Sequence, residues 1–132
     1  MGSRLKPVLL AVSAGLAGCA QADFAQIGDS TTTAIAITHG FQEANPLFGN
    51  ASWPAMAAVK IGVAQAVKFA PDPICEPGLM GLTVIGYDAA LWNLGVLAGS
   101  GIAAVPVAAA VTALFWDVWI EDAHRTCLNY EL

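Results

Sequence analysis

Residues 77–116 form a stretch of 40 positions with one charge, Asp88. That length accommodates two membrane spans of about 20 residues each. Gly99-Ser100-Gly101 divides the stretch and reads as a tight turn between antiparallel helices. The pattern predicts one helix over 78–98 and another over 102–120. Pro106 falls in the first turns of the latter, where a missing N–H costs least. Upstream, 51–70 is a second apolar block. Ser52-Trp53-Pro54 opens it with a cap followed by a proline, and Pro71-Asp72-Pro73 stops it. This block carries Lys60, Gln65 and Lys68, so its hydropathy is weaker. Before it, 23–40 predicts a helix containing Asp29 and Thr31-Thr32-Thr33. Threonine is tolerated there because its hydroxyl bonds a preceding carbonyl. Gly40 is the expected stop of that helix, and Asn45-Pro46 starts a turn in the loop that follows. The expected fold class is all-α, a four-helix transmembrane bundle with helices over 23–40, 52–70, 78–98 and 102–120.

The first residues have the form of an export signal, so the bundle is expected to be preceded by a signal peptide over 1–19. Arg4 and Lys6 make a positive start, and residues 8–16 are apolar but short for a spanning helix. Leu16-Ala17-Gly18-Cys19 looks like a bacterial lipoprotein lipobox, in which the Cys19 thiol takes the lipid. Ala20-Gln21-Ala22 is a competing pattern for ordinary signal cleavage, and an uncleaved first helix is the third option. All three place the residues after Ala22 outside the inner membrane at the start. The chain then crosses in, out, in and out. Loops 41–50 and 99–101 face the cytoplasm, and loop 71–77 and a tail over 121–132 face the periplasm. Phe115, Trp116 and Trp119 cluster where the last helix would leave the bilayer, as an interfacial aromatic belt.

Composition narrows the class further. The chain has 132 residues, 57% of them hydrophobic and 11% charged, with a mean hydropathy of +0.64. Soluble domains carry roughly 25% charged residues. Disorder is excluded, because it needs low hydrophobicity and high net charge. Nucleic acid is not an expected partner, since 5 Lys+Arg against 10 Asp+Glu leave no basic patch for phosphates. Removing the leader leaves Lys60, Lys68 and Arg125 as the only cations and keeps every acid.

The expected topology puts Cys75 and Cys127 on the same periplasmic side, an oxidising compartment where a disulfide between them is favoured. The alternative is two unrelated thiols. No metal or cofactor is expected. His124 near Cys127 offers only two ligands, and a closed zinc site needs four.

Asp29, Lys60 and Asp88 are the residues that a membrane reading must explain. A charge at mid-bilayer costs on the order of 3 kcal/mol on insertion scales, so such residues usually face the bundle interior and pair. Gly81, Asp88 and Gly95 recur every seven residues along one helix face, with Asn93 at its edge. Asp29, Thr33, Ala36 and Gly40 form a similar small and polar stripe. The inference is an interior layer of Asp29, Thr32, Thr33, Lys60, Asp88 and Asn93, with Lys60 between two carboxylates. Such a layer either fixes helix register, as buried polar groups do in some proteins, or forms a pathway for protons, ions or a small solute.

Asp29-Ser30-Thr31-Thr32, then Glu43-Ala44-Asn45-Pro46, then Lys60 and Asn93 resemble a group of small polytopic bacterial membrane proteins of unknown function. In that group an Asp-x-x-Thr helix leads to a Glu-x-Asn-Pro loop and a lysine-bearing helix. The resemblance spans roughly 27–95. It implies that Asp29, Thr32, Glu43, Asn45, Pro46, Lys60 and Asn93 form one cluster, and it brings no activity with it. The lipobox-like start and the cysteine pair depart from the pattern.

The sequence contains no Ser-His-Asp arrangement, metal motif or glycine-rich phosphate loop, so no enzyme is expected. The first expectation is a structural or accessory subunit of the cell envelope. It would lie in the bacterial inner membrane with both mature ends periplasmic, in contact with lipid and in a homo-oligomer or larger complex. The alternative is a small transporter or channel component that uses the Asp/Lys layer.

Overall fold

Two glycines set the ends of helices. Gly40 at φ 88° and Gly99 at φ 104° both take the left-handed conformation that other residues avoid. Each follows directly on a helix end in the computed structural model, which describes residues 20–41 and 52–130. The expected signal peptide over 1–19 with Cys19, and the loop residues Glu43, Asn45 and Pro46, lie outside the described residues.

The described residues form four α-helices and no strand: α1 (Gln21–Thr38), α2 (Trp53–Lys68), α3 (Asp72–Leu97) and α4 (Ala104–Asn129). At 1.5 Å per residue, α3 and α4 are each about 39 Å long, which exceeds the roughly 30 Å hydrocarbon core of a bilayer. These two helices are long and apolar enough to cross a membrane. α1 and α2 do not meet that test by themselves: α2 has only 16 residues, and α1 carries acids, amides and hydroxyls.

Both long helices extend past their expected ends, for different reasons. α3 begins at Asp72 rather than 78, taking in Pro73 and Pro77. Pro73 sits in the first turn, where the N–H has no intrahelical partner anyway. Pro77 comes one turn later and removes one N–H from the ladder. α4 runs to Asn129, so 121–129 continues the helix and is not a separate tail. No glycine or proline follows Pro106 within α4, and the charges at Glu121 and Asp122 do not break a helix. The fall in hydropathy after residue 120 therefore does not end the helix.

α3 packs against all three other helices, and α1 packs mainly on α3 and α2. α4 packs chiefly on α3. Buried positions Ala22, Gln26, Asp29, Thr33 and Ala36 recur at alternating steps of four and three along α1. Leu79, Thr83, Gly86 and Ala90 do the same on α3. These are two seams of coiled-coil spacing. Small residues let the backbones approach closely. A Cβ built on Gly86 would lie 2.8 Å from the carbonyl carbon of Ala25. A Cβ on Gly28 would meet the Ala90 Cβ at 3.9 Å, an ordinary contact.

The helix ends sort into two poles. One gathers the start of α1, the end of α2, the start of α3 and the end of α4. Cys75 and Cys127 are disulfide-bonded there, with Cα atoms 5.9 Å apart. Glu76 and His124 meet at 2.5 Å, Arg125 pairs with Glu121, and Phe69 lies edge-on to Tyr130. The Gln21 N–H, unpaired within its own helix, donates to Asp122 Oδ2 at 2.8 Å. The opposite pole carries the Gly99 turn and the end of α1.

Candidate functional site

The polar residues of α1 reach every other helix. Toward α2, Asp29 forms an ion pair with Lys60, and their side chains are 11% and 15% exposed. Thr33 Oγ1 donates to Asp29 Oδ1 at 3.3 Å. Toward α3, Asn93 Nδ2 donates to Thr33 Oγ1 at 2.9 Å and to Thr32 Oγ1 at 3.1 Å, and lies 3.5 Å from Asp29 Oδ1. Thr32 also donates back to the carbonyls of Gly28 and Asp29. Three helices thus place Asp29, Thr32, Thr33, Lys60 and Asn93 in one connected group. A buried carboxylate is tolerable here because a cation and hydrogen-bond donors meet it.

Asp88 is not part of this group. It accepts a hydrogen bond from Thr112 Oγ1 of α4 at 3.2 Å. The expectation that Lys60 lies between Asp29 and Asp88 is therefore corrected: among the described residues the carboxylate it pairs with is Asp29. The reason is rotational. Five residues of α-helix turn the chain by about 140° relative to the starting direction, so Asp88 and Asn93 cannot both face α1. The stripe of Gly81, Asp88 and Gly95 faces α4 instead. Gly81 lies beside Trp116 and Ile120, Asp88 beside Thr112, and Gly95 against Ala104.

A second buried pair escaped the sequence reading. Lys68 Nζ lies 2.5 Å from Asp23 Oδ2, with side chains 0% and 4% exposed. Asp23 also accepts from Gln65 Nε2 at 3.0 Å and from the Ala20 N–H at 2.9 Å. The last contact is half of a capping box, in which an acid at the third helical position holds the start of its own helix. The available signal was spacing. Lys60, Ala64 and Lys68 lie four residues apart on one face of α2. Two acids on α1 meet the two lysines in opposite chain directions, as an antiparallel pair requires.

Further contacts fix the α1–α3 seam. Gln26 Nε2 donates to the Leu82 carbonyl at 2.7 Å, and Tyr87 donates to Gln21 Oε1 at 2.8 Å. Ser30 is fully buried, and its hydroxyl has no hydrogen-bond partner among the described residues. Trp119 also departs from expectation. It is buried and stacks on Tyr87 with ring centroids 5.2 Å apart, so it belongs to the packed interior. Phe115 and Trp116 do face outward.

The outer surface has the opposite character. Ile85 is 67% exposed and Leu114 78%, and Val105, Val107 and Val118 are also open. Between α3 and α4 an apolar groove of about 620 Å³ is lined by Met80, Val84, Ile85, Trp116 and Ile120. Among the described residues no group of three or more His, Cys, Asp or Glu side chains is placed to hold a metal. The chain matches no protein-family model, no curated protein and no solved structure.

Proposed function

We propose that this is a small integral protein of the bacterial inner membrane, a structural or accessory subunit and not an enzyme. In this reading all four helices cross the bilayer. The pole with the disulfide and the start of α1 is periplasmic, and the Gly99 turn is cytoplasmic. The observation that carries the reading is the inverted distribution of polarity. Asp23 and Lys68 are 3% and 1% exposed while large aliphatic side chains of α3 and α4 stand open. Water penalises that arrangement, whereas a hydrocarbon solvent favours it. α1 and α2, too polar or too short to cross alone, would cross as parts of the bundle with their charges paired inside it. The convergence of the first mature residues and both cysteines at one pole supports an exported, oxidising side there. The likeness to small polytopic membrane proteins through Asp29, Thr32, Lys60 and Asn93 belongs to the same reading.

Paired reporters test it. A cytoplasmic reporter inserted at Gly99 and a periplasmic reporter after Leu132 should both be active. Periplasmic activity at both positions would show a lipid-anchored soluble bundle instead.

A second reading, a small transporter or channel component, is favoured by Ser30. Its buried hydroxyl, without a partner among the described residues, follows Asp29 in the chain, and a transient water or ion would satisfy it. Proton or cation flux into liposomes holding the purified protein, lost in Ser30→Ala with the fold intact, would establish that reading. The subunit reading expects no flux, and stability unchanged or raised by Ser30→Ala.

A further inference from the structure

Asp88 stands apart from every lysine and arginine among the described residues. Lys60 pairs with Asp29, Lys68 with Asp23 and Arg125 with Glu121, which engages all three. Among the described residues the polar contact of the Asp88 carboxylate is the Thr112 hydroxyl. The residue lies about 24 Å from the start of α3 and about 14 Å from its end, at 1.5 Å per residue, which is well inside a spanning helix. It borders a pocket of about 310 Å³ that opens on the outer face between α3 and α4. The other walls are Trp92, Ala104, Val105, Ala108 and Ala109. Ala104 is buried against Gly95 of α3, while Ala108 and Ala109 line the pocket without being buried, small residues that let a second helix approach closely.

These observations converge on one occupant. A carboxylate held at this depth needs a proton or a cation. The described residues of a second copy bring none to spare, because their three cations are engaged in the same way. We propose that the Asp88 face of α3 and α4 is the docking site for a transmembrane helix of a different protein, one bearing a lysine or arginine at bilayer depth. The alanines admit its backbone, and Asp88 receives its charge. Thr112 donates to one carboxylate oxygen, Oδ1, and leaves Oδ2 for the incoming cation. The two buried pairs around α1 then fix the fold, and the third acid recruits the partner. The proposal rests on the membrane reading and specifies what an accessory subunit of this shape would bind.

The test uses the full-length protein, purified from membranes and reconstituted in phosphatidylcholine vesicles. Three synthetic Leu/Ala transmembrane peptides serve as probes, carrying Lys, Leu or Glu at the central position. Association is read by energy transfer between labels on protein and peptide. Flotation of the reconstituted protein after an alkaline carbonate wash is read first. Loss from the vesicles overturns the membrane reading and the docking proposal with it. With flotation intact, the Lys peptide should associate about three- to tenfold more tightly than the Leu peptide, the range that interhelical polar contacts give in bilayers. The Glu peptide should bind no better than the Leu peptide. In Asp88→Asn the Lys advantage should vanish while the disulfide and thermal unfolding stay as in the parent. Equal association of the three peptides with the parent protein, or a Lys advantage that survives Asp88→Asn, overturns the docking proposal alone.

Discussion

Lys68 Nζ sits 2.5 Å from Asp23 Oδ2 with both side chains sealed from solvent, at the pole where α2 ends and α1 begins. Asp23 carries two more donors, from Gln65 and Ala20, so the ammonium, an amide and the start of a helix converge on one carboxylate. Removing one member of such a pair leaves a buried charge without compensation, which costs about 3–5 kcal/mol. Lys68→Met should therefore lower stability by an amount of that order in detergent unfolding. The double change Lys68→Met with Asp23→Asn should recover most of the loss. A neutral Lys68→Met would mean that the ammonium reaches the interface in the native bundle.

The Asp29 and Lys60 pair makes a sharper comparison, because two acids compete for the role. Lys60→Met should destabilise by a few kcal/mol, less than the full range because the pair is partly exposed. Adding Asp29→Asn should restore stability, and adding Asp88→Asn should not. Double-mutant cycles on these three positions give the coupling energies directly. Coupling of Lys60 to Asp88 and not to Asp29 would contradict the arrangement of α3 described above.

Two glycines on α3 respond in opposite ways. At Gly86 a Cβ meets the Ala25 carbonyl carbon and Cβ at 2.8 Å, so Gly86→Ala must push α1 off α3. Overpacking of that kind costs about 1–3 kcal/mol. At Gly81 a Cβ meets nothing within 4 Å. Gly81→Ala should be neutral or stabilise by up to about 1 kcal/mol through helix propensity. Thermal unfolding of both variants side by side checks the direction, and a reversed order would place α1 on the other face of α3.

The disulfide closes α3 onto the end of α4 across a sequence separation of 52 residues. Chain entropy alone gives such a link about 4 kcal/mol. The variant with Cys75→Ser and Cys127→Ser should unfold at lower temperature by the equivalent of a few kcal/mol, and peptide mapping of the unreduced parent should show the two cysteines linked. Free alkylation of both thiols without reductant would contradict the pairing.

Much of this arrangement was legible in the chain. Gly40 and Gly99 announced helix ends because their left-handed backbone is costly for other residues. Asp29, Lys60 and Asn93 stood out because polar groups in apolar helices need partners, and the structure brings them together with Thr32 and Thr33. What stayed hidden was rotation. A seven-residue repeat of Gly81, Asp88 and Gly95 shows that a face exists but not which neighbour it meets. The face toward α1 carries Thr83, Gly86, Ala90 and Asn93, whose four-and-three spacing is equally regular and less conspicuous. Lys68 was masked by its place one turn before a proline stop, where a lysine ordinarily reaches for solvent. Asp23 was masked by its place beside a signal-cleavage pattern. The extension of α4 to Asn129 was masked because charge density marks the edge of an apolar phase and not the end of a helix.

The claim on which the rest depends is that the aliphatic outer face of α4 lies in lipid. A spin label placed by Leu114→Cys in the reconstituted protein, with the disulfide left intact, reports the medium around the most open large hydrophobic residue of that helix. Electron paramagnetic resonance should show high accessibility to oxygen, which partitions into hydrocarbon, and low accessibility to a water-soluble nickel chelate. High chelate accessibility with little effect of oxygen would put Leu114 in water and contradict the membrane reading.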